Sequence, residues 1–183
     1  MEAPCDGRPV KPLLLVPGYQ GSGPGHWQSI WEAERPEARW VEMPSWEQPI
    51  RQDWVAALDE AIAGCGEPPI LVGHSLGCIA IAHWAAGQVR AVHGALLAAP
   101  VDVERPDGLE LLRPFGPIPR RTLPFPTILA APSDDAYMAV ARASLFARDW
   151  GAQFVELGPC GHLNRASGHG PWPRGEALLA ELR

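Results

Sequence analysis

A chain of 183 residues with 46% apolar and 20% charged side chains is long enough to bury a full core and too apolar to be disordered. Its formal charge of −6, almost all of whose cations are arginine, excludes the clustered lysines and arginines on which nucleic-acid binding rests. No apolar run approaches the roughly 20 residues needed to cross a bilayer, so no membrane partner is expected.

The opening stretch MEAPCDGRPVKP has no apolar core or cleavage pattern of a signal peptide. Cys5, Cys65, Cys78 and Cys160 are far apart and form no C-x-x-C pair, which argues against both a metal site and a disulfide framework. A cytoplasmic protein with reduced thiols, no metal and no cofactor is the expectation.

Taken in chain order, the first strand is Pro12–Val16. It runs into PGYQGSGPG, a glycine-rich turn before a helix at His26–Glu34. Such a turn can cradle phosphate or aim N–H groups at a developing oxyanion. A strand at Arg39–Met43 leads to a helix at Arg51–Cys65, in which Trp54, Leu58, Ala61 and Ile62 recur at helical spacing. The next strand, Pro69–Gly73, is followed by an apolar helix at Leu76–Gln88 and a strand at Val92–Ala98.

Both of these strands are apolar on both faces, the mark of a parallel sheet covered by helices on each side. The proline-rich segment Val101–Pro126 forbids a long helix and reads as an irregular crossover or a partial lid. Strand Thr127–Ala131, helix Ala136–Trp150, strand Gln153–Leu157 and a helix from Arg174 complete the chain. The β-α-β alternation predicts one domain over residues 1–183. Its fold class is α/β: a three-layer α/β/α sandwich around a mainly parallel sheet of about six strands.

The chemistry centres on Gly73-His74-Ser75-Leu76-Gly77. A G-x-S-x-G between a buried strand and an apolar helix places serine on a sharp turn that side chains at the two glycines would obstruct. A serine hydroxyl needs a base, and the base needs an acid to orient it. In this fold class the partners follow the serine in the order acid, histidine. His26, His74, His83 and His93 lie too early, so His162, just past the last strand, is the candidate base, and His169 reads as part of a surface turn. The acid should follow the preceding strand, where Asp134 and Asp135 stand side by side. Only one of two neighbours can reach His162; the other, or Ser133, could cap the following helix. Asp102 is the fallback one strand earlier.

Two other function classes fit less well. A dinucleotide fingerprint fails because His26 stands where the third glycine belongs and Pro24 interrupts the turn, and a P-loop fails for want of lysine. A binding module on an inactive scaffold would need an exposed aromatic patch. Trp54 and Trp84, both in helices with apolar faces, do not supply one.

Together, VPGYQGSGPGHW, GHSLG, SDDAY, CGHLN and SGHGPWPRG resemble the small lidless serine hydrolases related to YdeN and retinoblastoma-binding protein nine, over nearly the whole chain from Leu14 to Trp172. The resemblance implies a compact α/β-hydrolase fold without a large cap domain. By motif it implies Ser75 as nucleophile, His162 as base and Asp135, the second aspartate of SDDAY, as acid. Ala136 stands where a proline often follows that acid.

The expected activity is hydrolysis of a small ester or amide, carboxylesterase-like, by a monomer or small homo-oligomer. The glycine-rich turn then reads as half of an oxyanion hole. Its donors would be the N–H groups of Tyr19 and Leu76, with the Gln20 N–H as second choice. Gln20, His26, Trp27 and His74 are the candidate substrate-binding residues, although His26 and Trp27 could equally serve packing at the helix start.

Overall fold

A computed structural model describes residues 10–87 and 90–183. Residues 1–9, with Cys5, and 88–89, where the predicted helix Leu76–Gln88 was to end, lie outside the described residues. Six strands alternate with five helices among the described residues: β1 Leu13–Val16, α1 Trp27–Glu34, β2 Ala38–Trp40, α2 Arg51–Ala63, β3 Ile70–His74, α3 Leu76–Gly87, β4 Gly94–Ala98, β5 Thr127–Ala131, α4 Val140–Trp150, β6 Gln153–Glu156 and α5 Pro173–Ala180. All pairings are parallel, in the order β2-β1-β3-β4-β5-β6.

The period-two alternation of the strands divides the core into two halves. Leu13, Leu15, Ile70, Val72 and Leu96 face α1 and α5, while Leu14, Val16, Leu71, Leu97 and Leu129 face α2, α3 and α4. Each half is filled by tryptophan: Trp27, Trp31 and Trp172 on one side, Trp54, Trp84 and Trp150 on the other. At about 25 cal/mol per Å² and roughly 200 Å² apiece, each such indole contributes about 5 kcal/mol of burial before entropy is charged against it. None of the eight tryptophans is exposed, although Trp40 and Trp46 are only partly buried.

Two boundaries differ from expectation for a physical reason. Helix α4 begins at Val140 rather than Ala136, because residues 135–137 form a turn. In it the Asp135 carboxylate takes the Tyr137 N–H at 2.8 Å, and the Tyr137 carbonyl takes the Asp102 N–H at 3.0 Å. The second strand stops at Trp40, after which Val41 N–H still reaches the Leu15 carbonyl but Glu42 and Pro44 turn outward.

The segment 101–126 contains only a 3₁₀ turn at Glu110–Phe115. It is nailed down: Leu112, Phe115, Ile118 and Leu123 are buried, and His83 donates to the Phe115 carbonyl at 2.6 Å. Trp150 likewise donates its indole N–H to Pro119 at 2.8 Å. The segment packs against the core as a wall. Because every strand points the same way, the turns after β1, β3, β4, β5 and β6 converge at one edge of the sheet, where open parallel sheets bind ligands.

Candidate active site

Ser75 follows β3 directly, with φ at +52° in the left-handed region. Its N–H donates to the Ala98 carbonyl at 3.1 Å. The turn is possible because Gly77 lacks a side chain: a Cβ there would fall on the Val16 carbonyl at the end of β1. Gly18 is as constrained, since its Cβ would lie 2.7 Å from that of Ser75. The glycine-rich turn after β1 thus crosses directly against the serine.

His162 lies on the irregular loop after β6. Its Nε2 is 2.9 Å from Ser75 Oγ and its Nδ1 is 2.7 Å from Asp135 Oδ2. With Nδ1–H donating to the carboxylate, the Nε2 lone pair is left for the serine hydroxyl. The Asp135 side chain is almost wholly enclosed, its second oxygen taken by Tyr137 N–H. The Tyr137 ring stands 4.5 Å from the imidazole of His162. Asp134 points elsewhere: its Oδ1 accepts from the N–H groups of Cys160 and Gly161, at 2.8 Å each. Neither aspartate caps α4, and Ala139, its N-cap, makes no side-chain cap bond. Asp102, the fallback acid, pairs with Arg142 at 3.1 Å, while His169 contacts its own turn through Ser167.

A cavity of about 380 Å³ opens over Ser75 and His162. Gly18, Tyr19, Gln20 and Gly21 line it from the turn after β1, and Val101, Val103, Leu109 and Leu112 from the segment after β4. Among the described residues neither the Tyr19 nor the Leu76 N–H meets an acceptor. The Gln20 N–H, by contrast, is occupied by the Trp46 carbonyl at 2.9 Å, which removes it as an oxyanion donor. Gln20 still lines the cavity.

Three imidazoles step across the floor: His26 to His74 at 4.8 Å between ring centres, His74 to His162 at 5.0 Å. His26 caps α1, its Nδ1 accepting the Gln28 N–H at 3.1 Å. Its Nε2 is buried and has no partner among the described residues. Burial, and then the nearby His162, push its pKa down to about 4. His74 is likewise held well below the ordinary histidine value, first by burial and then by His162 and His26, and its Nε2–H donates to the His162 carbonyl at 2.9 Å. Both are neutral near pH 7.

Trp27 corrects the expectation of a substrate contact. It is fully buried against Trp31 and Trp172, gives its indole N–H to the Leu163 carbonyl at 3.0 Å, and is not among the cavity residues. The inward face of a helix that opens on a tryptophan carries it into the core. Cys160 stays a thiol, its pKa raised by burial and by Asp134. Sequence reasoning missed the acceptor role of Asp134 and the wall residue Arg105, which pairs with Asp107 at 2.6 Å and reaches the Ala136 carbonyl. Their partners include backbone groups, which leave no mark in a sequence.

Among the described residues no group of three or more His, Cys, Asp or Glu side chains could hold a metal ion, and no helix is long and apolar enough to cross a membrane. A family model described as serine hydrolase matches residues 13–181. A protein of Pectobacterium atrosepticum described as a YdeN-like hydrolase is 33% identical, with a TM-score of 0.84 over 93% of this chain and 89% of that one. The ydeN gene product of B. subtilis is 23% identical, with a TM-score of 0.76 over 94% and 98% of the two chains. The esterase domain of a Rhodothermus marinus protein is 19% identical, with a TM-score of 0.69 over 97% and 88%. The last two are likenesses of fold, that of the α/β-hydrolases. No curated protein matches the sequence.

Proposed function

The chain belongs to the serine hydrolase family, and on that premise we propose that it cleaves small esters, carboxylesterase-like, through an acyl-enzyme on Ser75. The observation that carries this reading is the hydrogen-bonded run Asp135–His162–Ser75, at 2.7 and 2.9 Å, on the floor of an open cavity.

His162 Nε2 takes the Ser75 proton as Oγ attacks the ester carbonyl, and Asp135 stabilises the imidazolium that forms. The N–H groups of Tyr19 and Leu76 receive the oxyanion. Collapse expels the alcohol, which leaves with the proton from His162. Water, deprotonated by the same nitrogen, then attacks the acyl carbon and releases the acid and free Ser75. Val101, Val103, Leu109 and Leu112 give the cavity an apolar surface that suits an uncharged acyl group, beside the charged Asp102, Arg105 and Asp107.

A fluorophosphonate tests the reading. Covalent labelling and turnover of 4-nitrophenyl acetate, both lost in Ser75→Ala, are expected. A folded wild-type protein that neither labels nor turns over overturns it.

A further inference from the structure

We propose that Asp134 is a positioning residue, whose carboxylate holds the backbone ahead of His162 so that the imidazole meets Ser75. This inference rests on the reading of Ser75 and His162 given above.

The loop that carries His162 has little to hold it from within. It leaves β6, a half-exposed edge strand, at Glu156, and no regular element follows before the 3₁₀ turn at Arg165–Ser167. The residues on both sides of His162 lie in the left-handed region, Gly161 at φ +58° and Leu163 at +49°. For leucine such a conformation costs on the order of 1 kcal/mol or more and persists only where the surroundings over-determine it. Three side chains from other elements supply that determination. His74 donates to the His162 carbonyl at 2.9 Å, Trp27 donates to the Leu163 carbonyl at 3.0 Å, and Asp134 accepts from Cys160 and Gly161 at 2.8 Å each.

Asp134 differs from the other two in kind. It acts on the N-terminal side of His162, makes two bonds with one oxygen, and is joined by one peptide to Asp135, which holds the imidazole itself. The pair therefore fixes backbone and ring from the same turn. Bonds from N–H to a carboxylate are about twice as strong as neutral ones. Without them the backbone just ahead of His162 loses both of its bonds to the turn after β5, the nearest remaining ones lying upstream at the Gly158 carbonyl and downstream at the His162 and Leu163 carbonyls, so that the imidazole, still bonded to Asp135, can draw back from Ser75. A displacement of about 1 Å at a reacting group can cost on the order of 100-fold in rate.

The test compares Asp134→Ala with Asp134→Asn, whose amide oxygen can still accept both N–H groups. In Asp134→Ala, kcat for 4-nitrophenyl acetate should fall about 10- to 100-fold with KM within twofold. Phosphonate labelling should slow in step, and amide exchange at Cys160 and Gly161 should quicken. Asp134→Asn should return kcat to within about threefold of wild type, the acceptor being kept. Wild-type kcat in folded Asp134→Ala, or Asp134→Asn as impaired as alanine, overturns the proposal. Should Asp134→Ala not fold, Asp134→Glu moves the carboxylate by one methylene and is expected to lower kcat alone; wild-type kcat there overturns it equally. Unchanged amide exchange in Asp134→Ala refutes the brace itself, whereas a wild type that never labels refutes the underlying assignment of Ser75.

Discussion

The Ser75 turn and the His162 loop meet across 2.9 Å, yet they are built in opposite ways. The turn sits between a buried strand and a buried helix, and close backbone contact dictates it: Gly18 and Gly77 leave room for nothing larger than hydrogen. The loop buries Leu163 and is tight at Gly161, but is otherwise open and takes its shape largely from side chains lent by β3, α1 and the turn after β5. One half is held mainly by steric exclusion, the other mainly by hydrogen bonds. A fault in the first should therefore appear as lost stability, and a fault in the second as lost rate in a protein that still folds.

The largest expected effect falls on the loop side. Asp135→Asn should lower kcat by about 10⁴-fold by leaving His162 in the wrong tautomer, with little change in melting temperature. An equal fall in stability would erase the contrast between the halves. Gly18→Val tests the turn where both properties meet. Crowding Ser75 and displacing the Tyr19 N–H should cost about 10²–10³-fold in kcat, as the loss of one oxyanion donor does. Unchanged kinetics would move that donor elsewhere.

Acid should act on the shared floor. Between pH 6.5 and about 4 the unfolded chain binds a proton at His26 that the folded chain refuses, so stability falls as pH drops through that window. His26 alone accounts for on the order of 3 kcal/mol at the acid end. Melting temperature against pH should therefore fall less steeply below 6.5 in His26→Asn, where asparagine keeps the helix cap. Identical slopes would remove His26 as the cause.

Gly77→Ala, on the turn side, should cost about 3 kcal/mol of stability through overpacking against Val16, a fall of roughly 6–12 °C. A wild-type melting temperature there would show that the turn is not sterically held.

The same contrast explains what the sequence reveals. Strands apolar on both faces and the glycines flanking Ser75 are steric requirements, so they appear as residue types and can be read directly. His162 is legible by its position after the last strand. Asp135 is not separable from Asp134 by local reasoning, since both follow β5, and only the family resemblance favours it. The partners of Asp134 are main-chain N–H groups at Cys160 and Gly161, which any residue but proline could provide. The start of α4 is illegible for a similar reason, because the turn at Asp135–Tyr137 is fastened by the main-chain N–H of Asp102.

That last contact has a consequence for how the cavity could be altered. The wall donates the Asp102 N–H to Tyr137 and the Arg105 guanidinium to Ala136, so it is fastened to the residues immediately after Asp135. Changes to the backbone of 102–105 made to admit a different acyl group would therefore also disturb Asp135, and on the proposed function their effects on selectivity and turnover should not be independent. Leu109 and Leu112 line the same cavity farther along the segment from that joint. Directed evolution of substrate range should accordingly find its tolerated, additive substitutions at the exposed Leu109 and its epistatic ones at Arg105, whose side chain makes the joint.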